Sequence, residues 1–527
     1  MVPPRTKHST EHSLKRRSLL AVGGLTLLTP SFLMGCASTP AKDSPSSSGD
    51  AADIALLNRV SWGVDSATLR EYSRQPRRDY LQAQLHPLAS APLPASVQAQ
   101  IDALGLNRQA MPAWVDEMEQ RRKAADAITA DDAKKTAQQA YQQDMNHLAR
   151  DASVRSLLLA LYSPNQLQEQ LTWFWFNHFN VHQYKRDLRV MVGDYENMLR
   201  ARALGKFSDL LIASATHPAM IRYLDNDQNA AGRINENYAR EVMELHSLGV
   251  DGGYSQKDVQ ELARVLTGLG TNFTDKTPKL KPAQEALYVH RDGTEFNPAR
   301  HDMGEKTVLG EAVPAKGWDE IMAQLTRLAR HPATARHLSQ KLAIYFVSDQ
   351  PPPALVERMS RAYLASDGDI AVTLQAMFDA PEFMASLGHK FKDPTHYVVS
   401  AVRLAYDGKP ILNAGPMLGW INRLGQGLYN HQTPDGYPMD QAAWASSGQL
   451  STRFEIARTI GNGSAGLFKP DAPGAVDAPA FPQLSNALFY AQLSQTLGER
   501  TRAALAAASS ATEWNVLLLS SPEFMYR

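Results

Sequence analysis

The chain holds one cysteine, Cys36, among 527 residues. That excludes an intramolecular disulfide, a cysteine-based zinc cluster and an iron–sulfur centre, so any metal would need His, Asp, Glu or Asn. Excess charge of one sign is missing too. The 54 Lys and Arg balance 54 Asp and Glu, and no general affinity for nucleic acid is expected. There is no dinucleotide-binding glycine pattern, no phosphate loop and no nucleophile elbow. Strand signals are sparse. What remains is a hydrophobic fraction of 43%, enough for a substantial core.

The first segment reads as an address. Lys15-Arg16-Arg17-Ser18-Leu19-Leu20 precedes a short apolar run from Ala21 to Leu28, interrupted by two glycines. A basic region before a short apolar stretch is a secretory signal, too short for a stable membrane span. The pair Arg16-Arg17 resembles the twin-arginine signal, which exports folded proteins. The run ends in Leu33-Met34-Gly35-Cys36, which resembles the bacterial lipobox, with Cys36 acylated to become the mature N-terminus. Acyl chains burying methylenes at about 0.8 kcal/mol each make a stable anchor. The expected partner is therefore the membrane, reached through that lipid, with the protein facing the periplasm. Ala37 after the cysteine resembles outer-membrane lipoproteins of Gram-negative cells. Residues 1–36 are thus read as signal, 37–52 as a flexible Ser/Pro/Ala-rich tether, and 53–527 as the folded part.

The folded part is expected to be mainly α: a large multi-helix domain with a small β-hairpin-like insertion and long ordered loops. Residues 115–150 predict an exposed helix or helical hairpin with a weak apolar stripe. Gln166 to Phe179 is apolar nearly all round and belongs in the core. A faint echo recurs at Ala376-Met-Phe-Asp-Ala-Pro-Glu-Phe-Met, at Leu518-Leu-Ser-Ser-Pro-Glu-Phe-Met and, more loosely, at Leu211-Ile-Ala-Ser-Ala-Thr-His-Pro-Ala-Met. In each, a helix is expected to stop before the proline that opens the next. Residues 288–296 and 306–310 are expected to pair as the hairpin. Residues 407–440 read as an ordered loop.

The strongest local pattern is Asn235-Glu-Asn-Tyr-Ala-Arg-Glu-Val-Met-Glu-Leu-His-Ser-Leu-Gly249. Asn235 predicts an N-cap and Gly249 a C-terminal stop, bounding about three and a half turns. Ser255 with Asp258 predicts a capping box opening a second helix. Glu236, Arg240, Glu241 and Glu244, with Glu261 and Arg264, form either a paired-carboxylate site or an interhelical salt-bridge network.

This stretch, continuing through Asp251-Gly-Gly-Tyr254 and Ala263-Arg-Val-Leu-Thr-Gly268, resembles the signature of the bacterial domain-of-unknown-function family numbered eighteen hundred. Trp175-Phe-Asn-His-Phe179, His301-Asp302, the segment from Lys341 to Phe346 and Gly436-Tyr-Pro438 agree with it. The resemblance covers nearly the whole mature chain and implies an exported protein. It supplies no reaction.

Candidate chemistry rests on four groups. Glu241, Glu244 and His246, approached by His178, make the candidate catalytic set. His178 and His182, spaced one turn apart, could grip a divalent metal from one helix face. Asp225-Asn-Asp227-Gln-Asn229 followed by Glu236 mimics part of a calcium loop, without its turn glycine. His301-Asp302 could supply a base and its orienting partner if His178 or Glu241 approached. Two functions follow: an enzyme with a carboxylate/His site, with or without a divalent metal, or a non-catalytic envelope scaffold whose charges are structural. Substrate and protein partner are left open.

Overall fold

The computed structural model describes residues 51–88, 91–274, 276–470, 480–491 and 493–527. Arg16, Arg17, Cys36 and nearly all of the expected tether lie outside them. The first described helix, Ala51–Val60, takes in Ala51 and Ala52, the last two residues of the expected tether. Ser46–Arg527 is one compact unit, and helices dominate its described residues. No described helix is long and apolar enough to cross a membrane.

Local sequence sets most boundaries. The polar 115–150 stretch is a helical hairpin of Met111–Asp126 and Asp131–Tyr162, with exposed pairs such as Arg121–Glu117 and Arg122–Glu119 along it. All three Pro-punctuated echoes break where expected. Phe207–Ala215 gives way to Pro218–Tyr223, Ile370–Phe378 to Pro381–Ala385, and Ala511–Leu519 to a 3-10 turn at Glu523–Met525. Ser255 and Asp258 form the expected capping box at the Gln256–Val265 helix.

The β insertion is organised differently from the expected pairing. β1 (Leu269–Thr271), β2 (Val289–Arg291) and β3 (Thr294–Phe296) form an antiparallel sheet in the order β1-β3-β2. β4 (Lys306–Val308) and β5 (Glu311–Val313) form a separate hairpin. Each hairpin closes on two residues with positive φ, Asp292-Gly293 and Leu309-Gly310. That geometry matches the right-handed twist of flanking strands, so each segment folds on itself.

The signature helix is also shorter, Asn237–Glu244. At its end both Leu245 and His246 donate backbone N–H to the Glu241 carbonyl, and the Ser247 hydroxyl takes the Val242 carbonyl. The last turn widens and stops there, five residues before Gly249. Its Tyr238 and Val242 side chains are buried, and Leu245, just past its end, is half-buried.

Candidate active site

The Gln166–His178 helix lies in the core, with Trp175 and Phe174 almost wholly buried. It stops at His178, so His182 leaves the helical face and the two imidazoles do not form a one-face metal grip. His182 is half-buried instead, close to the backbone of Asn430 and His431, with its Nδ1 unpartnered.

His178 is boxed by Phe174, Trp175, Phe179 and Phe207. Its Nε2 lies 3.2 Å from the His246 carbonyl. A carbonyl only accepts, so Nε2 carries the proton and Nδ1 is a bare lone pair. That Nδ1 is buried without a partner. Around it stand His246 and His337, each 6.2 Å from the His178 ring, centre to centre. The Nε2 atoms of both are likewise buried and unpartnered. Buried polar atoms are rarely left so, and three in one place mark a ligand or water site.

His337 and Lys341 sit one turn apart on the Pro332–Phe346 helix. Gly249, at φ +85°, lets the signature loop press against that helix: an added Cβ would lie 2.8 Å from His337 Nδ1. Lys341 is half-buried, and among the described residues its amine makes no hydrogen bond or ion pair. Burial pushes the amine down to about 8, with the Asp435 carboxylate opposing the shift. Burial, then the Lys341 charge, pushes His246 down to about 3 and His337 to about 4. His178 also falls well below its ordinary value, first through burial and then through Lys341. The imidazoles are therefore neutral and Lys341 is the cation among them.

Glu241 and Glu244, in the helix that precedes this loop, are half-buried. No bond joins either to His178. Burial, then the Glu244 charge, raises the Glu241 carboxyl, and Asp435 adds to it. Asp435 thus acts on both Glu241 and Lys341. Glu244 accepts from the Tyr254 hydroxyl at 3.3 Å. Among the described residues, neither glutamate pairs with an arginine. Arg240 takes Glu236, and Arg264 takes Glu261 and Asp302.

The remaining candidates are engaged in ion pairs. Asp225 is paired with Lys185 and Asp227 with Arg186, so cations from the chain occupy the carboxylates a calcium loop would need. Asn226 and Asn229 are buried, tying that loop to backbone carbonyls of Leu266, Leu269 and Ala263. His301 does not use Asp302 as a base partner. Its Nε2 lies 3.2 Å from Glu320, which also holds Lys306 at 2.8 Å, all three side chains fully buried. Among the described residues, no group of three or more His, Cys, Asp or Glu is placed to hold a metal ion.

His337, Lys341 and Asp435 were missed as site residues by sequence reasoning. A signal existed: His337, Lys341 and Tyr345 recur every four residues between buried Leu338 and Leu342, a polar stripe along a core helix.

The segments carrying the resemblance meet here. Trp175–Phe179 gives His178, the signature loop gives His246 and Gly249, Lys341 opens its own segment, and Gly436-Tyr437 bonds to Asn177. No curated protein and no solved structure matches the chain. The family described as protein of unknown function, DUF1800, matches residues 55–526, and the chain belongs to that family.

Proposed function

We propose that this is an exported envelope lipoprotein, anchored at Cys36, whose helical domain is an enzyme acting through Lys341 and the His178, His246 and His337 imidazoles. The twin-arginine pair and lipobox support the first half. The second is carried by one observation: three buried, unpartnered imidazole nitrogens belong to histidines that all feel the charge of the Lys341 amine. A scaffold would be expected to set a carboxylate against such groups, as Glu320 stands 3.2 Å from His301 and 2.8 Å from Lys306.

With its proton affinity near 8, roughly a tenth of the Lys341 amine is unprotonated at pH 7, far more than in an ordinary lysine. Such an amine takes a proton from a substrate or attacks an electrophilic carbon. The neutral imidazoles accept or donate hydrogen bonds to the bound molecule, and the aromatic box excludes water. Glu241, with raised proton affinity, and Asp435 are the carboxylates coupled to the cluster, Asp435 acting on both Glu241 and Lys341.

Trace labelling with acetic anhydride, read by peptide mass spectrometry, tests whether this site is open and poised. Lys341 in the folded protein should be modified faster at pH 7 than exposed Lys257 and Lys316. A Lys341 that stays unmodified until the protein unfolds would mean a sealed cluster and leave the scaffold as the better reading.

A further inference from the structure

The helical hairpin of Met111–Asp126 and Asp131–Tyr162 shares a cavity of about 370 Å³ with the start of the Val192–Arg202 helix, and none of its lining belongs to the imidazole cluster. The buried side chains of that lining are apolar, Met111, Trp114, Leu148 and Val190, with one exception. Arg155 is a charged side chain only 5% exposed. Gly193 brings no side chain against it, where an added Cβ would stand 3.3 Å from Nη2. Among the described residues Arg155 makes one hydrogen bond, from Nη2 to the Gly193 carbonyl, and no ion pair. Its Nε is buried without a partner. Burial lowers its proton affinity and the Glu196 charge opposes this, but a guanidinium keeps its proton in a protein, so Arg155 is a cation. Glu196 itself is held by Arg200 at 3.0 Å.

The exposed part of the lining carries the opposite charge. The Asp194 side chain is 52% exposed, and its Oδ2 lies 3.1 Å from His217 Nε2. His217 Nδ1 accepts from the Ala219 N–H, so the proton sits on Nε2 and the imidazole is a neutral donor. Among the described residues Asp194 Oδ1 has no partner, and Asp194 and Arg155 do not pair with each other. Two amides line the cavity beside them. Asn197 accepts from Arg200 through Oδ1, which leaves Nδ2 as a free donor; Asn107 spends Nδ2 on the Ile101 carbonyl, which leaves Oδ1 as a free acceptor. Gln109, the remaining amide, is bonded to Glu117.

We propose that this cavity binds a zwitterionic dipeptide with an apolar side chain, its carboxylate on Arg155, its ammonium on Asp194 and its side chain against Met111, Trp114, Leu148 and Val190. The free amide donor and acceptor match the carbonyl and N–H of one peptide bond. An apolar floor with a few convergent polar groups is the composition of small-molecule sites. A cavity of about 150 Å³ takes a benzene ring, so about 370 Å³ holds roughly 15 heavy atoms, the size of a dipeptide with one leucine-sized side chain. The ligand is neutral overall, and each of its charges meets one of opposite sign.

Isothermal titration of the purified full chain with leucyl-alanine tests it. Saturable one-to-one binding at millimolar concentration or below is expected. Arg155→Met should weaken it roughly tenfold or more, as loss of a charge-assisted hydrogen bond entails. Asp194→Asn, an exposed change that keeps an acceptor for His217, should do the same and serves if Arg155→Met does not fold. N-acetyl-leucyl-alanine lacks the ammonium, leucyl-alaninamide lacks the carboxylate and free leucine lacks the peptide bond, so each should bind far more weakly. The proposal is overturned if leucyl-alanine does not bind saturably, if a folded variant binds it unchanged, or if any of the three control compounds binds as tightly.

Discussion

Asn177 and Tyr437 exchange two hydrogen bonds: Asn177 Nδ2 donates to the Tyr437 carbonyl at 2.9 Å, and Asn177 Oδ1 accepts from the Tyr437 N–H at 2.6 Å. The pair fastens the residue before His178 to the loop that carries Asp435. It is possible only because Gly436 lies between, at φ +77°, where an added Cβ would stand 2.1 Å from the Asn177 carbonyl oxygen.

Gly436→Ala should therefore do more than strain one residue. Gly388 has nearly the same φ, +78°, with nothing within 4 Å of an added Cβ, and Gly388→Ala measures the conformational part alone. Gly436→Ala is expected to cost about 2 kcal/mol more, because the clash adds backbone strain. Urea unfolding of both variants decides it; equal losses would mean that the close approach is unimportant.

Acid should loosen the fold well before the carboxylates titrate. His178, His246 and His337 are held neutral by burial, and His396 falls to about 4 for the same reason first. Their folded values lie below the ordinary 6.5, so their stabilisation is complete above that pH and is lost as pH falls below it. At pH 5 each imidazole still neutral in the fold has lost about 2 kcal/mol. Lys341 is mostly protonated in both states over this range and adds only a small slope near pH 7.5. Urea midpoints from pH 7.5 to 5 should fall steadily, and less steeply in His246→Gln. A flat profile would contradict buried neutral imidazoles.

The Glu320 cluster makes the opposite kind of prediction. Glu320→Gln leaves Lys306 and His301 buried without their carboxylate, and a loss of about 3–5 kcal/mol is expected. Thermal unfolding measures it. A loss below about 1 kcal/mol would mean that water reaches the cluster.

How much of this was legible beforehand follows from the range of each signal. Ser255 and Asp258 lie three residues apart, and the prolines act on their neighbours, so capping and helix breaks could be read directly. The fully apolar Gln166–Phe179 stretch placed itself in the core. Pairing of 288–296 with 306–310 was misjudged because two-residue turns at Asp292-Gly293 and Leu309-Gly310 outweigh a longer closure. His178 and His246 were singled out, yet the helix connecting His178 to His182 was assumed to continue. His337 and Asp435 come from segments 91 and 189 residues beyond His246, by subtraction of their numbers, and no local pattern announces that meeting.

Export and anchoring are tested apart from the fold. Cys36→Ala should release the domain from the membrane fraction or leave an uncleaved precursor, with no acyl mass on the chain. Arg16→Lys with Arg17→Lys should block export by the folded route while preserving charge. Acyl chains on the Cys36→Ala protein, or normal export of the double variant, would refute the respective reading.

The Lys341 amine is the most direct test of the proposed site. Reductive methylation with carbon-13 formaldehyde, followed by a pH titration in NMR, gives the value for each lysine, with Lys341→Met assigning the signal. Lys341 is expected to titrate at about 8, and lower still in Asp435→Asn, which removes the carboxylate opposing the shift. A Lys341 signal titrating near 10.5, indifferent to Asp435, would contradict an amine poised among neutral imidazoles.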